Sequence, residues 1–143
     1  MKSSNNQKEF LLLKIKSPEE IDFFKEHYDI IAKYGYVDFA KVGKYYLKTD
    51  SLKSGDKIFI KESIVNGGAL YSAVIKDIIE KGEKYPSYYR DYDDLNKIWI
   101  RIKDLKIIEN NNFLDDYETR AGGEVIKAIR SMSPNFFIHK KES

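Results

Sequence analysis

Apolar and polar positions follow two rhythms along this chain, and each rhythm marks out elements. Residues 10–15 (Phe-Leu-Leu-Leu-Lys-Ile) are apolar almost throughout, the pattern of a buried strand. Ser17-Pro18-Glu19-Glu20 reads as a helix start, with Ser17 as cap, Pro18 at the first helical position and Glu20 completing a capping box. Ile21, Phe24, Tyr28 and Ile31 follow at helical spacing, which predicts a helix over 18–34 closed by Gly35 in a left-handed cap. His27 lies off that stripe and is expected on the surface. Between Gly35 and Gly43 the period becomes two. Tyr36, Asp38 and Ala40 alternate with Val37, Phe39 and Lys41, so a short strand is expected there.

The remainder reads mostly as hairpins. Ser54-Gly55-Asp56 is a turn into a strand over 57–61, and Asn66-Gly67-Gly68 is a hairpin signal. The next strand runs over 69–79, with Ala69, Tyr71, Ala73 and Ile75 on one face and Leu70, Ser72 and Val74 on the other. Residues 83–94, with four tyrosines among acids and Pro86, predict a loop with one helical turn. A strand over 97–103, continuing toward 108, places Ile98, Ile100 and Ile102 inward and Trp99, Arg101 and Lys103 on the opposite face. Asn110-Asn111-Asn112 is a turn, residues 122–132 a short helix with Val125, Ile126 and Ile129 as its apolar side, and 136–138 a last strand. The expected architecture is α+β: a curved, mostly antiparallel sheet of five or six strands closing into a small pseudo-barrel, with flanking helices. Leu12, Phe24, Ile31, Phe39, Ile58, Ile60, Val74, Ile98, Ile100 and Ile102 are its expected inward set. One domain over 10–139 is expected between a flexible polar stretch, 1–9, and a basic tail, 140–143.

Composition narrows the class. With 143 residues, 42% hydrophobic and 34% charged, the chain suits one soluble core. A net charge of +2 creates no strong overall field, although a local basic patch is compatible with it. The absence of cysteine excludes disulfides, thiolate zinc sites and a thiol nucleophile. The run 10–13 is too short for a signal sequence or membrane span, so a cytoplasmic protein is expected.

No P-loop, dinucleotide fingerprint, Gly-x-Ser-x-Gly or His-Glu-x-x-His is present, so neither catalysis, a cofactor nor a bound metal is expected. Gly122-Gly123-Glu124 opens a helix rather than a hairpin, and Asp104-Leu105-Lys106 lacks partner acids at nuclease spacing. The unusual feature is aromatic content, 14% and mostly tyrosine. Trp99, Arg101 and Lys103 on one strand face form a stacking-plus-phosphate strip, or else a packed ring with two solvated cations. Lys41 and Lys44, with Tyr34, Tyr36, Tyr45 and Tyr46, crowd the two ends of the strand after Gly35. Tyr88, Tyr89 and Tyr92 sit in the acidic loop, as a lid over a pocket or as a packed or protein-contacting surface.

The helix followed by Gly-Tyr-Val-Asp-Phe-Ala-Lys-Val-Gly-Lys at 35–44, then Gly55-Asp56-Lys57-Ile58-Phe59-Ile60, is similar to PUA-like domains. The hairpin into 69–75 and the Trp-bearing strand at 98–102 resemble the EVE-type branch, relatives of the YTH and ASCH domains. The resemblance covers roughly residues 35–109. It implies a small pseudo-barrel that binds RNA or DNA, often holding a modified base in an aromatic-lined pocket. No pocket residue carries over by motif, and from the residues alone Trp99 and a tyrosine of the 85–92 loop are the rings expected to sandwich a base. The alternative is a small inhibitor or adaptor from a phage or mobile element that acts on a host protein without catalysis.

Overall fold

The structure is a computed structural model that describes residues 8–15, 20–43, 52–63, 68–89, 97–110, 112–131 and 135–142. Its elements in chain order are β1 (Glu9–Ile15), α1 (Phe23–Tyr34), β2 (Val37–Gly43), β3 (Lys57–Glu62), β4 (Leu70–Ile79), β5 (Lys97–Ile108), β6 (Tyr117–Thr119), α2 (Val125–Arg130) and β7 (Asn135–Lys140). Single 3-10 turns at Ser87–Tyr89 and Phe113–Asp116 precede β5 and β6. All seven strands form one sheet in the order β2-β5-β4-β3-β1-β7-β6. The β1–β3 pair is parallel and the other pairs are antiparallel, so the sheet is mixed and α+β is the class. Seven strands stand where five or six were expected. β6 is the addition, and three residues are too few to show a period.

Strand β1 explains the continuous apolar run. Leu11, Leu13 and Ile15 join one core with Ile58, Ile60, Tyr71, Ala73, Ile75, Ile100 and Ile102. Leu12 points the other way, into a second core with Phe59, Leu70, Leu114, Tyr117, Val125 and Ile138. A parallel pair is stable only when both faces are covered, and here α1 covers the first face and α2 with the 113–117 segment the second. The expected inward set therefore splits between two faces. Leu12 is buried on the opposite side from Ile58 and Ile60, and Val74 is only half-buried. Ile98 lies in β5, but its side chain falls outside the described residues.

The helix starts later than the capping box implied. Asp22, in an extended conformation, accepts from the Lys25 amide at 3.1 Å and caps α1. Ser17 and Pro18 lie outside the described residues, and Ile21 is not helical. The C-terminal end matches expectation: Gly35 has φ 86° and donates to the Ile31 carbonyl at 2.7 Å. The buried stripe is rotated from the expected one. Phe23 and His27 are fully buried, Phe24, Ile30 and Ile31 are partly buried, and Tyr28 is 47% exposed.

Register shifts bend the sheet: between Phe39 and Val42 in β2, and between Ser72 and Val74 and between Ile75 and Asp77 in β4. Asp104 of β5 adopts φ 53° where the strand carries extra residues opposite Ala73. Bulges of this kind sharpen twist and curl. β2 and β1, four places apart in the sheet, approach to within 8 Å at Cα. No ladder joins them among the described residues, so the curl is open and not a closed barrel.

Candidate functional site

Arg101 of β5 pairs in register with Asp38 of β2 on one side and Asp77 of β4 on the other. Asp38 is fully buried, and four donors satisfy its carboxylate. Arg101 reaches Oδ1 through Nε at 2.8 Å and Oδ2 through Nη2 at 3.2 Å, while the amides of Glu83 and Lys84 reach Oδ2 at 2.7 and 3.0 Å. Arg101 Nη2 also donates to Glu83 at 3.0 Å, and the guanidinium lies 4.0 Å above the Tyr36 ring. The hydrogen bond to Asp38 holds the Arg101 pKa above its usual value. Its charge is committed within the protein, so Arg101 acts as a brace that ties residues 83–84 to the outer edge of β2.

From that brace the chain turns inward. The half-buried ring of Trp99 lies over Gly82, so close that a Cβ there would sit 2.4 Å from the indole. Tyr85 and Tyr89 flank the same ring with centroids at 5.0 and 6.1 Å. Tyr89 is buried, and its hydroxyl donates to Nε2 of His27 at 2.5 Å; the Nδ1–H of His27 donates to the Phe23 carbonyl at 2.8 Å. Tyr88 packs edge-on against Tyr89 at 5.0 Å. Trp99, Tyr88 and Tyr89 are thus brought together, in an aromatic layer between α1 and β5. Burial lowers the His27 pKa to about 4. The expectation that His27 is a surface residue is corrected: α1 begins later, and the helical face that carries Phe23 carries His27 four residues on.

Lys103 stands apart from this layer. It pairs with Val74, which pairs with Lys57, while Lys106 pairs with Ser72, which pairs with Phe59. Direct cross-strand partners share a sheet face, so Lys57, Lys103 and Lys106 stand together on the second face. The α2 side covers that face over Phe59 and Leu70 but leaves Ser72 and Val74 half-exposed. None of the three lysines makes an ion pair among the described residues. Lys57 and Lys106 were not singled out from the sequence. The signal for them was the register across three strands, which no single strand carries.

Lys41 belongs to β2, but its side chain lies outside the described residues, as do Lys44 and Tyr92 entirely. A further aromatic–basic group sits at the end of α1: Lys33 and Lys84 place their ammonium groups 5.3 and 4.7 Å from the centroid of Tyr34, which is 43% exposed. Beneath the start of α1 the Tyr71 hydroxyl donates to the buried Glu62 carboxylate, and burial raises the pKa of Glu62. Among the described residues no three His, Cys, Asp or Glu side chains gather to hold a metal ion, and no helix is long and apolar enough to cross a membrane.

No family model, curated protein or solved structure matches the chain.

Proposed function

We propose that this protein is a nucleic-acid-binding module of PUA-like, EVE-type character, which acts by binding and not by catalysis. The observation that carries the reading is the group Lys57, Lys103 and Lys106, free of ion pairs among the described residues, on the uncovered half of the sheet's second face. Three cations on neighbouring strands, none of them in an ion pair among the described residues, supply the charge that a phosphate backbone calls for. The resemblance, over 35–109, spans β2, β3, β4 and β5, the strands of the open, curled part of the sheet that carries this group. Arg101 holds Asp38, and Trp99 holds the segment between β4 and β5. Arg101 thus braces the edge of the surface beside Lys103, Trp99 packs against the first core, and the lysines make the contact.

Binding of a labelled oligonucleotide, measured from low to moderate salt, tests this. Affinity is expected to fall steeply with salt and to drop when Lys57, Lys103 and Lys106 are replaced together by Gln. Binding that is indifferent to both changes would point to a protein partner.

A further inference from the structure

We propose, resting on that reading, that the bound nucleic acid is single-stranded and continues past the lysine face, around the outer edge of β2, to stack a base on Tyr34. The path can be traced residue by residue. Lys103 and Arg101 are two residues apart on β5 and share a face; from Lys106 to Arg101 the strand spans roughly 16 Å at ~3.3 Å per residue. Arg101 and the Lys84 amide meet on the same Asp38 carboxylate, so Lys84 begins where Arg101 ends. Lys84 then reaches over the Tyr34 ring, with Lys33 on the same ring.

The two ends of this path differ in chemistry from its middle. In the middle, Asp38 and Glu83 take up the Arg101 charge, and nothing is left for a phosphate. Each end carries cations without acid partners among the described residues: Lys57, Lys103 and Lys106 at one, Lys33 and Lys84 at the other. Among the described residues, the second end offers a large exposed ring and the lysine face does not. A duplex keeps its bases stacked inside and has no use for such a ring, whereas a single strand presents one π-face per nucleotide. An arriving phosphate draws Lys33 and Lys84 toward itself and leaves the ring face to a base. A neutral midsection between two cationic ends calls for an occupant of several nucleotides.

The test is fluorescence anisotropy with labelled single-stranded DNA, its RNA counterpart and the matching duplex, on the wild-type chain, Tyr34→Ala, Tyr34→Trp and the triple Lys57→Gln, Lys103→Gln, Lys106→Gln variant. Single strands are expected to bind more tightly than duplex. Tyr34→Ala is expected to weaken single-strand binding about 5- to 100-fold without changing the salt slope, and Tyr34→Trp to retain it. A preference between the DNA and RNA strands reports whether a 2′-hydroxyl is read. If Tyr34→Ala binds like wild type, or duplex binds as well as single strand, the extended path is wrong, while the lysine face stands provided the triple variant fails to bind. If the triple variant binds every probe as wild type does, both readings fall.

Discussion

The hydroxyl of Tyr89 donates to His27 across 62 residues of sequence, at 2.5 Å, and both groups are buried. This bond fastens the 3-10 turn before β5 to the underside of α1 and requires His27 to be neutral, because Nδ1–H is already donating to Phe23. The folded-state pKa is lowered to about 4 from 6.5. Between those values the unfolded chain binds a proton that the folded chain refuses, so stability falls as pH drops through that window. The full difference amounts to about 3 kcal/mol. Urea unfolding at pH 7 and pH 4.5 is expected to show this loss in the wild type. In His27→Gln the difference between the two pH values should shrink by a comparable amount; an unchanged difference would remove His27 as the titrating group.

Glu62 acts in the opposite sense. Burial raises its pKa, so the folded chain holds a proton more tightly than the unfolded chain does, and stability falls as pH rises past the ordinary carboxylate range. Glu62→Gln, which keeps an acceptor for the Tyr71 hydroxyl, is expected to become relatively more stable than wild type above that range. Melting curves at pH 4 and pH 8 read the effect directly, and equal shifts at both would contradict it.

Asp38→Ala is expected to cost about 3–5 kcal/mol, the cost of leaving a paired charge and two amides without their buried partner. Chemical denaturation gives the number. Hydrogen exchange at the Glu83 and Lys84 amides gives the location, since both should lose protection while the β1–β3 amides keep theirs. A loss below 1 kcal/mol would mean that Arg101 and the two amides find water at little expense.

A methyl group at residue 82 has no room beneath the indole of Trp99. Gly82→Ala is expected to destabilise by about 1–3 kcal/mol and to shift tryptophan emission. Combined with Trp99→Ala, the two costs should fall short of their sum, because removal of the ring makes the space. Strict additivity would mean that the two residues do not meet in solution.

Each of Lys57, Lys103 and Lys106, replaced singly by Ala, should reduce the slope of log K against log salt by about 0.7 on a single strand. Arg101→Ala should instead act chiefly through stability, since its charge is already spent on Asp38 and Glu83. A slope change for Arg101→Ala equal to that of a lysine would return it to the contact surface.

Strands were legible in the sequence wherever the period was clean. The strand of residues 69–79 and the Trp-bearing strand were readable because bulges displace the partner register without erasing alternation over five or six residues. The end of α1 was readable because Gly35 has to adopt a positive φ there. Its beginning was not, since Ser17-Pro18 and Asp22 offer competing caps, and tertiary packing of Phe23 and His27 decided between them. The two-sided burial of β1 and β3 was hidden as well: an apolar run says that a strand is covered, not by what. Trp99, Arg101 and Lys103 alternate along one strand, yet the Trp99 ring packs against the first core while Arg101 and Lys103 stay on the second face, and their neighbours divide their roles. Asp38 claims Arg101 and Gly82 admits the Trp99 ring, so Lys103 alone joins an open surface. Those partners are 63 and 17 positions away along the chain, beyond the reach of any periodicity.

The place of β1 in the sheet also has a consequence for how the chain acquires its shape. The strand is paired on one edge by β3 and on the other by β7, its register running from Glu9 opposite His139 to Leu13 opposite Asn135. On the ribosome, residues 9–15 emerge before residues 135–140 and keep one unpaired edge, apolar on both sides, until those have followed. Such long-range closure slows folding and leaves a sticky edge open to other chains in the interval. Solubility on overexpression is therefore expected to depend on synthesis rate more than on the stability of the finished fold.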